Sequence, residues 1–227
     1  MCVYTIAAVP VRAFLFDFDG LILDTETASR AGWQWLYREL GQELPPEKWA
    51  LMVGTVDGWD IWGHLEGLVG PLDRASWNEK RYAHEVTLLE VEELRPGIAD
   101  YLSFAEEHGV KRAIVSSASR RWIDMHLERL ERAVGWDAIV TADHDPARAK
   151  PQPTLYHEAL DELGVAAGEA VAFEDSPNGA SAAKAAGVYV VGIPNAVTAD
   201  LGLDESADLV LDSLADLEPR ELVARLA

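Results

Sequence analysis

Cationic residues are scarce in this 227-residue chain: 19 lysines and arginines stand against 39 aspartates and glutamates, a net charge of −20. Such a surface repels nucleic-acid phosphates and anionic lipid headgroups, so neither nucleic acid nor membrane is expected as a partner. A small phosphorylated ligand stays admissible, because local positive charge can override the overall field. Cysteine is nearly absent. The lone Cys2 excludes an intramolecular disulfide and a cysteine-built metal site. No apolar run is long enough to span a bilayer. The first residues lack a basic region followed by a long apolar core, so a cytoplasmic protein is expected, with a monomer as the default. Internal repeats and low-complexity linkers are missing too.

What is present is alternation. With 49% apolar residues the chain can bury one large core, or a core plus a smaller insert. Short apolar runs at 11–18, 111–116, 138–141, 170–174, 188–193 and 209–211 read as strands. Helical patterns fall at 97–108, 120–134, 154–163, 178–186 and 218–226. This order implies an α/β fold, Rossmann-like, with a mostly parallel sheet and helices on both faces. Ligands of such sheets bind beyond the carboxyl ends of the strands. Residues 27–93 break the rhythm. They show no convincing strand, only helical patterns interrupted at Leu44-Pro45-Pro46, Val53-Gly54 and Gly70-Pro71, and they hold six of the eight tryptophans. An inserted all-helical cap follows, over a core made of residues 1–26 and 94–227.

Chemistry-bearing residues gather at the expected strand ends. In FLFDFDGLILDTE, residues 14–26, Asp17 and Asp19 close an apolar strand and precede Gly20. Read as strand positions two apart, their side chains point the same way. Two buried like charges need a cation between them. Taken alone, Asp-x-Asp also fits a strand-end turn or a sugar-nucleotide transferase motif; the glycine is misplaced for a calcium loop. In AIVSSAS, residues 113–119, Ser117 and the amide of Ala118 stand where a helix opens, suited either to an anion or to capping. Lys150 in AKPQPTLY precedes Pro151, which favours an extended backbone and inward reach, against the alternative of a solvated loop. In VAFEDSPNGASAAKAAGV, residues 171–188, an apolar strand ends in Glu174-Asp175, adjacent carboxylates that a hard cation such as Mg2+ would reconcile.

Together, DFDGLILDTE, VSSAS, KPQP and EDSPNG, in this order, resemble the haloacid dehalogenase superfamily, in its helical-cap branch of phosphatases and β-phosphoglucomutase-like proteins. The resemblance spans nearly the whole chain. It implies an Asp17 nucleophile and an Asp19 general acid and base. It further implies Ser117, Ala118 and Lys150 around the phosphoryl group. Mg2+ would be held by Asp17, the backbone carbonyl of Asp19 and Asp175, with Glu174 as direct or water-mediated helper. The implied reaction is hydrolysis of a small organic phosphate ester through an aspartyl-phosphate.

Four other chemistries compete. Dehalogenases of the superfamily lack the second aspartate, present here as Asp19. The mutase pattern has a histidine where this chain has Ser29, and a cap arginine where it reads Gly54-Thr55-Val56-Asp57. Phosphonate hydrolysis needs a Schiff-base lysine, and the only cap lysines, Lys48 and Lys80, lack a diagnostic context. A catalytically idle binding module would not need the full set of acids and the lysine. The cap tryptophans read as packing between helices, with Trp59 and Trp62 as candidates for the pocket wall; Trp122 and Trp136 are assigned to the core. Thr25 and Glu26 open the linker and are candidate hinge or substrate-facing residues. Asp143-His144-Asp145 reads as a solvated loop. The few basic cap residues disfavour a second strongly anionic group on the substrate.

Overall fold

The computed structural model describes residues 11–49, 59–132, 135–143 and 145–227. Cys2, the Val53–Asp57 turn, Val134 and His144 lie outside them. Six strands form one sheet: β1 (Ala13–Phe16), β2 (Lys111–Ser116), β3 (Ala138–Thr141), β4 (Ala170–Glu174), β5 (Tyr189–Gly192) and β6 (Leu209–Val210). Their order is β3-β2-β1-β4-β5-β6, every pairing parallel. Strand β1 lies between β2 and β4, so the chain order reverses there, the position at which sheets of this kind place their ligand sites.

Every residue of β1 is buried, as a central parallel strand requires. Ala13 and Leu15 face one apolar layer, with Ala113, Val115, Ala172 and Val190. Phe14 and Phe16 face the other, with Ile114, Phe173 and Val191. The first layer is covered by α7 (Thr154–Leu163) and α8 (Pro177–Ala185), the second by α5 (Ile98–His108), α6 (Arg120–Arg129) and α9 (Pro219–Leu226). Side-chain caps start these helices where the serines stand: Ser119 Oγ accepts from Trp122 N in α6, and Ser176 Oγ from Gly179 N in α8, with Pro177 at the first turn.

Between β1 and α5 the described residues hold only helices: α1 (Thr25–Glu39), α2 (Pro46–Trp49), α3 (Ile61–Val69) and α4 (Arg74–Leu89). Aspartates 24, 60 and 73 cap α1, α3 and α4. These helices share an apolar cluster of their own, built on Trp33, Leu36, Tyr37, Leu44, Trp49, Ile61 and Leu65, and Trp35, Trp59, Trp62 and Trp77 pack against it. These six tryptophans pack in or against the helical cluster. Val197 and Leu201, from the loop after β5, reach this same cluster. No helix among the described residues is long and apolar enough to cross a membrane.

Candidate active site

Strand β1 is shorter than its apolar run suggests. It stops at Phe16, though Asp17 N still donates to Phe173 O at 3.0 Å. The chain then turns at Gly20, whose φ of +79° suits glycine. A Cβ there would collide with Asp175 Oδ2 and stand 2.7 Å from Asn195 Nδ2. The turn can be this tight only because residue 20 has no side chain.

Asp17, at the tip of β1, meets Glu174 and Asp175 from the tip of β4. Each offers a carboxylate oxygen, and these oxygens lie within 4.8 Å of one another, all three residues being buried. Among the described residues, Lys150 forms the ion pairs with this group. Lys150 Nζ is 2.6 Å from Asp17 Oδ1 and 2.6 Å from Glu174 Oε1. Burial alone would depress the Lys150 ammonium, but the Asp17 and Glu174 charges outweigh it and hold its pKa above the usual value. The carboxylates remain short of positive charge. Burial, followed by the charge of Asp17, pushes the Asp175 carboxyl well up. Glu174 is raised by burial even though Lys150 touches it, since that ammonium is shared with Asp17. Tyr156 donates its hydroxyl to Glu174 Oε1, while the buried Glu174 Oε2 finds no hydrogen-bond partner.

Three buried carboxylates with one ammonium are costly without a further cation. Hard oxygen donors and an unsatisfied carboxylate oxygen fit Mg2+, which takes a few carboxylates and completes its shell with water or phosphate.

The Asp19 side chain has partners of its own. Asp17 and Asp19 lie beyond the end of β1, so strand alternation does not govern them. Asp19 stands outside the acidic group: its Oδ1 accepts from Thr25 Oγ1 and Trp122 Nε1, both at 2.8 Å, and Ser116 Oγ lies 3.5 Å from its Oδ2. Burial first, then the charge of Asp17, raises its pKa to about 6, against the opposing hydrogen bonds from Trp122 and Thr25. A carboxyl in this range can exist in either protonation state near neutral pH. Glu26, in the first turn of α1, is driven to about 8 by burial and then by the charges of Asp19 and Asp17.

Ser117 Oγ accepts from Lys150 N at 3.1 Å and so pins the lysine loop against the end of β2. The Ala118 amide donates to Ser116 Oγ at 3.0 Å. Asp143 is tied down by Arg120 N and Thr141 Oγ1. Trp136 packs on the core, stacked edge-on to Phe16. Sequence reasoning placed Trp122 in the core without its contact to Asp19, and it missed Tyr156 and Asn195. The Asn195-Ala196-Val197-Thr198 stretch carries a readable turn signal, but nothing in it names Asp175 as the target.

A wholly parallel α/β sheet with buried acids and a lysine at its switch point defines an enzyme-like centre at the carboxyl edge. A family model of haloacid dehalogenase-like hydrolases matches residues 11–187. The putative phosphatase YhcW of Bacillus subtilis is 39% identical over 209 residues, covering 92% of this chain and 94% of that protein. Hexitol phosphatase B of Escherichia coli is 27% identical over 94% of this chain and 97% of its own length. The crystal structure of CbbY from Rhodobacter sphaeroides in complex with xylulose-(1,5)bisphosphate superposes with a TM-score of 0.71 at 31% identity, covering 91% of this chain and 96% of that one. The chain belongs to the haloacid dehalogenase-like hydrolase family.

Proposed function

We propose that this hydrolase is a Mg2+-dependent phosphatase that cleaves a small organic phosphate monoester through an aspartyl-phosphate on Asp17. The observation that carries this reading is the buried meeting of Asp17, Glu174 and Asp175 with Lys150 on Asp17. In the first step an Asp17 carboxylate oxygen bonds to phosphorus, the bond from phosphorus to the ester oxygen breaks, and Asp19 gives its proton to the departing oxygen. In the second step water attacks phosphorus, Asp19 takes up the water's proton, and the bond to Asp17 breaks, releasing inorganic phosphate. Lys150 and Ser117 hold the phosphoryl oxygens, with the Ala118 amide joining once it leaves Ser116. Asp17, Glu174, Asp175 and the Asp19 backbone carbonyl would hold Mg2+, which when bound would offset the charge of phosphate and carboxylates.

Residues 27–93 act as a cap over a core of residues 1–26 and 94–227. The relatives' names point to phosphorylated polyols and sugars as the substrate class. The protein is tested against a panel of metabolite phosphates with and without Mg2+. Phosphate release that needs Mg2+, and that falls roughly 10⁴-fold or more in Asp17→Asn, is expected. Wild-type protein releasing no phosphate from any ester, or an Asp17→Asn variant of normal rate, overturns the proposal.

A further inference from the structure

Asn195 lies in the loop after β5 and is buried. Its side-chain amide has one possible orientation. Oδ1 accepts from Val197 N at 2.8 Å and from Thr198 N at 3.0 Å, closing a turn of its own loop. That leaves Nδ2 facing the site, where it donates to Asp175 Oδ2 at 2.7 Å and lies 3.3 Å from Gly20 O. Thr198 Oγ1 accepts from Asn195 N at 2.9 Å, fixing the loop further. Arg95 donates to Gly20 O, and to Pro194 O at 3.1 Å, tying the turn after Asp17 to the residue before Asn195.

The consequence concerns Asp175. Adjacent to Glu174 and near Asp17, its carboxylate would swing away from like charges if nothing held it. One of its oxygens is held by a neutral donor that brings no competing charge. That contact restrains the carboxylate before any ion arrives. An amide suits this role better than a lysine or arginine, whose charge would repel a cation.

We propose that Asn195 is the positioning residue of the metal centre, fixing Asp175 for Mg2+ from outside the coordination shell. The inference rests on the proposed Mg2+ site and adds to it a residue that touches neither ion nor substrate. Such outer supports usually account for about 10–100-fold in metal affinity. The loop carries the restraint onward: Val197 and Leu201 pack on the α1–α3 cluster, so the support is braced from the helical layer as well as from the sheet.

Two variants separate positioning from folding. Asn195→Ala removes every side-chain contact. Asn195→Ser keeps a hydroxyl that can accept from the amides of residues 197 and 198 but is too short to reach Asp175. Mg2+ binding is read by isothermal titration, and unfolding by the melting temperature. Both variants are expected to bind Mg2+ about 10–100-fold more weakly, with Asn195→Ser melting close to wild type. Raising Mg2+ should restore kcat in Asn195→Ser. A folded Asn195→Ser protein with wild-type Mg2+ affinity overturns this inference alone, even where Asn195→Ala fails to fold. Wild-type protein that takes up no Mg2+ overturns the metal site and this inference together.

Discussion

Gly179 stands in the first turn of α8, and the Glu174 carboxylate fills the space where another residue's Cβ would sit. An alanine there has two opposing effects. It gains about 1 kcal/mol in helix propensity over glycine. It also drives a methyl group into a wholly buried carboxylate, and overpacking of this kind costs about 1–3 kcal/mol. The clash should win. Gly179→Ala is expected to lower the melting temperature by several degrees, and Gly67→Ala in α3, where a Cβ meets nothing within 4 Å, to raise it slightly. Thermal unfolding of both variants decides; a Gly179→Ala protein as stable as wild type would show that Glu174 has room to move. Asp17, Lys150, Glu174 and Asp175 converge as their motifs indicate, because each stands at a strand end or a proline-punctuated loop. The partners of Asp19 were not legible. Trp122 reaches Asp19 across 103 positions of sequence, and local pattern carries no trace of such a pairing.

Helix α6 brings a titratable group into this neighbourhood. His126 is buried against Phe18 and Trp122, with neither ring nitrogen hydrogen-bonded. Burial first, then the charge of Arg129, pushes its pKa from 6.5 down to about 4. The sign of the effect follows from proton counting. Between these two values the unfolded chain binds a proton that the folded chain refuses, so acid favours unfolding. The stability concerned is fully present above pH 6.5 and drains as pH falls towards 4. Buried carboxyls with raised pKa, Glu26 and Asp19 among them, act in the opposite direction, so the effect is read as a difference: the melting temperature of His126→Leu relative to wild type should rise as pH falls from 7 to 5. Equal slopes for the two proteins would contradict it. Strands β2, β3 and β4 and helix α7 match the bounds read from sequence, since each is a run cut off sharply by turn or polar residues. Strand β1 does not. Its apolar run continues through Phe18, which lies outside the sheet pairing and packs under α6, and hydrophobicity alone does not distinguish the two kinds of burial.

At the scale of the molecule, a chain of net charge −20 buries three of its carboxylates together at the carboxyl edge of its sheet. That arrangement is intelligible if folding leaves a site waiting for a cation and an anionic ester together. The alternation of strands and helices made the parallel sheet readable, and the strand-free stretch before residue 94 marked the helical layer. The substrate was not readable, because selectivity is a matter of which side chains face the crevice, and periodicity does not report that. The reaction itself is open to a direct test. Acid-quenching the protein during turnover with Mg2+ and a cleaved ester, then mapping its peptides by mass spectrometry, should find a phosphoryl group on Asp17 in the wild type and none in Asp17→Asn. Sustained phosphate release with Asp17 never modified would contradict the mechanism at its centre.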